Sequence, residues 1–203
     1  MPPTQTSVHD AMQSLRVLSQ EARSKTWGNG KSLAVRTDGD VLIPEVPFAR
    51  QGRDNTCGQA AMAMLLHYWD VDVDYDQIAR EGNPLNVATS RQAIQIYLEG
   101  KGLQVRHLNG SLESLLGELH QARPVLLLLD FGGIDHMHYV VAVGYNARQG
   151  RILIHDSNKE PYKQMSLSEF LQRWQNLPAV TLPLIGGPEY ERLMFAVSPG
   201  DAS

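Results

Sequence analysis

A single cysteine, Cys57, stands in a chain of 203 residues, so no internal disulfide can form and the redox compartment is left open. Excess charge is also lacking. Lys and Arg total 18 against 22 Asp and Glu, a net charge of −4, which removes the electrostatic case for nucleic acid or an anionic membrane surface. Long apolar runs are missing: Ala60–Leu66 spans seven residues and Pro124–Leu129 six, and both are far too short to cross a bilayer. The first residues carry neither a basic segment nor an apolar core, so no signal peptide is visible. A cytoplasmic setting is the default expectation, with export by a route that needs no signal as the alternative. There is no internal repeat and no low-complexity tract. What is present, 42% apolar and 20% charged residues, is the composition of an ordinary folded domain with a sizeable core.

The hydrophobic pattern divides the chain into an N-terminal arm, residues 1–43, and a main domain, residues 44–203. In the arm, Val8, Ala11, Met12, Leu15, Leu18 and Ala22 recur at helical spacing from Ser7 to Arg23, an amphipathic helix expected to pack on the outside of the domain. Ser32–Arg36 and Val41–Pro44 flank a Thr-Asp-Gly-Asp turn and read as a hairpin. After the cysteine come helices over Gln59–Leu66, 75–81, Arg91–Glu99 (capped by Ser90) and the stretch capped by Ser111. A short strand is expected at Leu103–Val105, and loops at Asn83–Thr89 and Leu177–Glu189. The acidic run Asp72, Asp74, Asp76 lacks the glycine and distal glutamate of a calcium loop and reads as a solvated turn. From Arg123 onward the pattern is sheet, with strands at Pro124–Asp130, Tyr139–Tyr145, Arg151–His155 and Leu193–Val197. One helix interrupts it, from Ser166 or Ser168 through Trp174. Helices first and an antiparallel sheet second make an α+β architecture.

Residues 47–69 carry the chemistry. Cys57 precedes a small, apolar, helix-favouring run, which puts a thiol at the first turn of a buried helix, where unpaired N–H groups favour thiolate. Gly58 is expected to leave the sulfur uncrowded for a substrate. A nucleophilic thiolate needs a base, an acceptor to orient that base, and donors for an oxyanion. His136 and His138 lie two apart at the entrance to the strand HYVVAVGY and share a face if extended; His138 is the better placed base and His136 the second candidate. Asp156, ending the next strand, is the candidate orienter, with Asn158 as its rival. His155 points to the opposite face and reads as structural. Gln51 offers side-chain N–H donors that would meet an oxyanion together with the Cys57 amide. Gly58, His136 and Asn158 are the candidate substrate-contacting residues.

These motifs, Q-x5-C-G-x-A-A, then H-Y-V-V-A-V-G-Y, then I-x-D, resemble the C39-like branch of the papain-fold cysteine peptidases, over roughly residues 44–197. The resemblance implies that Gln51 forms the oxyanion hole and that Cys57, His138 and Asp156 form a triad, without a cofactor. Weaker echoes are G-L-x-V at Gly102–Val105 and S-x-x-E-F-x-x-x-W at Ser166–Trp174, where Glu169, Phe170 and Trp174 fit as packing residues. Ser157 departs from the pattern, since the family often has proline after the aspartate. No P-loop is present, so a stand-alone form is expected. The resemblance further implies cleavage after small residues such as Gly-Gly, by a processing peptidase or a bacterial toxin effector. Its partners would be a peptide or protein substrate and a carrier or immunity protein.

The same residues permit other readings. A papain-fold amidase, deamidase or transglutaminase-type acyl transferase would use the same acyl-enzyme chemistry. A metal site built from His136, His138, His155 and Asp156 has suitable residue types but leaves Gln51 and Cys57 idle. A non-catalytic binding module is the third alternative.

Overall fold

The computed structural model describes residues 9–10, 12–13, 16–17, 31–52, 54–82, 89–132, 136–175 and 192–200. Its organising element is helix α1, Cys57–Tyr68. Only Cys57 and His67 in it escape full burial, and a helix without a polar stripe has to run through the interior. Ala60, Ala61 and Ala63 keep it slim, and strand β5, Met137–Asn146, lies against it. Helices α2, Tyr75–Gly82, and α3, Arg91–Gly100, pack on the same helix and on each other. Helix α4, Leu112–His120, covers β5 and strand β4, Val125–Asp130. Helix α5, Leu167–Arg173, covers strands β6, Arg151–His155, and β7, Lys163–Ser166.

The helix starts obey capping chemistry. Ser90 Oγ accepts from the Ala93 N–H at 3.1 Å, Ser111 closes a reciprocal box with Ser114, and Ser166, not Ser168, caps α5 by accepting from the Glu169 N–H at 3.2 Å. No helix among the described residues is long and apolar enough to cross a membrane.

The sheet is antiparallel throughout, with the order β1-β2-β5-β4-β8-β3 and with β6 and β7 added through β5. Here β1 is Ala34–Val35, β2 Asp40–Leu42, β3 Leu103–Asn109 and β8 Leu193–Pro199. Registers locate the neighbours of β5. Val141 and Ala142 pair with both β4 and β6, while Gly144–Asn146 pair with both β2 and β6. A strand has two edges, so β4 and β2 follow one another along one edge and β6 holds the other. Residues 137–140 of β5 pair with β4 alone. The 34–42 hairpin is thus hydrogen-bonded into the main sheet. Asn146 fixes the following turn: its Nδ2 donates to Asp40 Oδ1 at 2.7 Å, and its Oδ1 accepts from the Arg148 and Gln149 N–H groups.

Several expectations are revised. β3 runs four residues beyond Val105, as an edge strand whose polar residues hide its length. β7 was not anticipated, because only Met165 of its four residues is buried and its extended shape comes from pairing with β6. Phe170 and Trp174 are fully buried, with Trp174 Nε1 donating to the Leu193 carbonyl at 3.1 Å, whereas Glu169 is a surface residue paired with Arg173 at 2.9 Å. In the helix expected at Ser7–Arg23, residues 9–10, 12–13 and 16–17 are helical, and Met12 packs on the core beside Gly150. Of the loops expected at 83–89 and 177–189, all but Thr89 lies outside the described residues.

Two glycines test the packing in opposite senses. A Cβ at Gly144 would stand 2.8 Å from Leu42 Cα and collide with the Val41 carbonyl, where β2 meets β5. Gly144→Ala is therefore expected to cost about 1–3 kcal/mol and to lower the Tm by roughly 2–10 °C in calorimetry. A Cβ at Gly117, inside α4, meets nothing within 4 Å. Gly117→Ala should stabilise by about 0.5–1 kcal/mol through helix propensity alone.

Candidate active site

The loop before α1 turns sharply. Asn55 has φ 61°, a left-handed conformation that asparagine tolerates, and it delivers Thr56 and Cys57 to the helix start. Thr56 makes no side-chain cap. Instead the Tyr75 hydroxyl accepts from the Gly52 N–H at 3.2 Å and donates to Thr56 Oγ1 at 3.1 Å, which ties α2 to both ends of the loop. The sulfur of Cys57 thus stands at a helix N-terminus, where it receives the N–H groups of Gly58 and of Tyr139 on β5. Residue 139 lies in the part of β5 that β6 leaves unpaired.

His138 is next to it on the strand. Its Nε2 donates to Asp156 Oδ1 at 2.9 Å, so Nδ1 is the nitrogen left for the thiol, and the imidazole and the thiol are hydrogen-bonded. Phe131 packs edge-on to the ring, with centroids 5.9 Å apart. Asp156 is 2% exposed and its acceptor capacity is used. Oδ1 also accepts from the Asn158 N–H at 3.1 Å, and Oδ2 accepts from Lys163 Nζ at 2.8 Å.

The electrostatics follow from these contacts. Burial pushes the Cys57 thiol up, but His138 and the two backbone N–H groups outweigh it and hold the thiol below its ordinary range. Burial likewise works against a charged His138, yet the Asp156 hydrogen bond and the adjacent sulfur push it up to about 9. Asp156, although buried, is held well below the usual carboxylate range by His138 and Lys163. Lowering the thiol and raising the imidazole both shift the pair toward its thiolate–imidazolium form.

The other candidates from the sequence are placed as follows. The Gln51 N–H donates to the Ser157 carbonyl at 3.1 Å, and its Oε1 accepts from Ser157 Oγ at 3.0 Å. Asn158 is exposed and meets Asp156 only through its main chain, so it is Asp156 that touches His138. His136 is exposed in a helical turn ahead of β5 and does not share an extended segment with His138; its carbonyl accepts from the Phe131 N–H. The space at Gly58 is not open to a substrate, since a Cβ there would stand 2.9 Å from the Thr89 side chain, which itself bonds Gln59. His155 is fully buried, with Nε2 donating to the Val46 carbonyl at 3.0 Å and Nδ1 accepting from the Tyr162 N–H at 3.1 Å. Among the described residues no three His, Cys, Asp or Glu side chains are grouped to hold a metal ion.

Lys163, Tyr75 and the Ser157 hydroxyl were not singled out as contacts from sequence. Lys163 lies on the strand that the pattern missed. The departure at Ser157 was the one signal that pointed to its residue.

Residues 43–181 match the profile of the Peptidase_C39 like family. Two crystal structures share the fold. One is a double glycine motif protease from an AMS/PCAT transporter, in complex with the leader peptide, with TM-score 0.54, 17% identity, and coverage of 76% of this chain and 92% of that one. The other is the peptidase domain of Streptococcus ComA, a bi-functional ABC transporter involved in a quorum sensing pathway, with TM-score 0.57, 14% identity, and coverage of 76% and 99%. None of the curated proteins compared with the chain matches it. At such identities the structures speak for the papain-like fold and the profile for the lineage, and the chain belongs to the C39-like family of cysteine peptidases.

Proposed function

We propose that the protein hydrolyses peptide bonds through Cys57, His138 and Asp156, with Gln51 as an oxyanion donor. The observation that carries the reading is a single imidazole bonded through Nε2 to a buried carboxylate and through its other nitrogen to a thiol at a helix N-terminus. In this mechanism the Cys57 thiolate attacks the scissile carbonyl carbon, the C–S bond forms, and charge moves to the carbonyl oxygen. Gln51 Nε2 and the Cys57 N–H stabilise that oxygen. His138 gives its Nδ1 proton to the leaving amine as the C–N bond breaks. The same nitrogen, now neutral, deprotonates the water that releases the acyl group and regenerates the thiolate. Asp156 keeps the ring oriented, and Lys163 holds the carboxylate from its far side.

The substrate class follows the double glycine motif protease among the structural relatives, whose bound partner is a leader peptide. A peptide cut after small residues such as Gly-Gly is the natural candidate here. The enzyme would serve as a processing peptidase acting on a carrier-borne peptide or as a toxin effector restrained by an immunity protein. The arm is proposed to be shorter than the expected 1–43, because β1 and β2 pair into the sheet of the peptidase domain through β5 and Val41–Ile43 lie in its core.

Cys57→Ser should leave the Tm unchanged and reduce turnover of Gly-Gly peptides by about 10³-fold or more, because a hydroxyl is a poor match for this base. Turnover near wild type in that variant would remove the proposal. The pH profile has a definite sign. As Cys57 is lowered, kcat/KM should rise below the ordinary thiol range; as His138 is raised, it should fall through about 9 as the imidazolium is lost. Asp156→Ala should move the basic limb down, since it deletes the main raising partner, and should cost on the order of 10²-fold in kcat/KM. Asn158→Ala should stay within about twofold, because only its main chain is used.

A further inference from the structure

The segment leaving β6 does more than present Asp156. The next residue, Ser157, is 1% exposed and meets Gln51 twice, at 3.1 Å through its carbonyl and at 3.0 Å through its hydroxyl. Two residues on, the Lys159 carbonyl accepts from Arg50 Nη2 at 2.9 Å. Residues 156–159 are therefore laced to residues 50–51. The backbone bond alone would locate the Cα of Gln51, but it leaves the side chain free to rotate about three torsions. The hydroxyl removes that freedom at the far end. It donates to Oε1, which turns Nε2, the atom of the amide that carries N–H, away from Ser157.

We propose that Ser157 is a positioning residue of the oxyanion site, its hydroxyl holding Gln51 Oε1 so that the Nε2 donor is preset for the oxyanion. The inference rests on the role assigned to Gln51 above. Its physical content is preorganisation: a donor already aimed where charge develops need not be reorganised during the reaction. A side chain that must first be ordered loses part of that advantage, and the loss falls on the step that builds the oxyanion. One strand exit then sets both the ring of His138, through Asp156, and the amide of Gln51, through Ser157.

Two small reagents separate the roles without knowledge of the natural substrate. Iodoacetamide alkylates a thiolate by displacing iodide, with no oxyanion. p-Nitrophenyl acetate acetylates it through a tetrahedral oxyanion, forming the C–S bond and expelling p-nitrophenolate. In Ser157→Ala, acetylation of Cys57 should slow about tenfold while alkylation keeps its wild-type rate and pH profile. Ser157→Thr, which keeps the hydroxyl, should hold the wild-type ratio of the two rates. Gln51→Ala should slow acetylation at least as much as Ser157→Ala, and adding Ser157→Ala to it should change nothing further. The proposal is overturned if both reactions slow together in Ser157→Ala, if the ratio is unchanged, or if the two substitutions are additive. Should Ser157→Ala melt early, a fallen ratio in Ser157→Thr overturns the proposal and a retained one supports it. Rapid alkylation with acetylation untouched by Gln51→Ala would remove the oxyanion role and this inference together. A wild-type thiol slow toward both reagents would instead remove the thiolate on which the proposed function itself depends.

Discussion

The site depends on a strand that is shared unevenly. β5 is paired on both edges from residue 141 onward but on one edge only from 137 to 140. Backbone donors on a buried open edge have to find partners. Here the start of α1 fills the gap, and the Tyr139 N–H is used by the Cys57 sulfur instead of by another strand. This one arrangement brings the helix N-terminus, the thiol and the neighbouring His138 together. If β6 ran further along β5, that N–H would belong to the sheet.

Charge is the second constraint. When Cys57 and His138 carry the charges their shifts favour, thiolate, imidazolium, the Asp156 carboxylate and the Lys163 ammonium alternate in sign and sum to zero. Burying isolated charges is costly, and an alternating row with satisfied hydrogen bonds is how a protein interior tolerates them. Lys163 is the outermost member and reaches solvent more readily than Asp156, with 25% of its side chain exposed against 3%. The more exposed end of the row is therefore a cation, and its most buried member is the carboxylate.

Much of this is legible in the sequence alone. The apolar run after Cys57 had no polar face, which required a buried helix, and the six apolar residues of Pro124–Leu129 required a central strand. Side chains that act on their own next turn, such as Ser90 and Ser111, announced the helix starts because capping is local. What stayed hidden was long-range. β7 is polar and extended only because β6 pairs with it, so Lys163 had no local signal to connect it to Asp156. Gly58 reads as open space in the sequence, yet Thr89, 31 positions further along the chain, closes it. His136 has the right side chain but the wrong backbone, since the strand begins one residue later.

The turn fixed by Asn146 has a bearing on what errors the chain can absorb. Side chains alternate across a strand, so a slip of β6 by a single residue would send His155 where Asp156 now stands. His155 has both ring nitrogens committed to backbone groups, and Asp156 would be carried to the opposite face, toward Val46 and Tyr162. The Asn146 amide, bonded to Asp40 and to the two middle residues of the turn, fixes the count of residues between β5 and β6. Insertions and deletions are therefore filtered at Ala147–Gly150 more strictly than substitutions. The length of that turn is held throughout, and its spelling is held at Gly150, whose φ of 60° and contact with Met12 leave no room for a side chain.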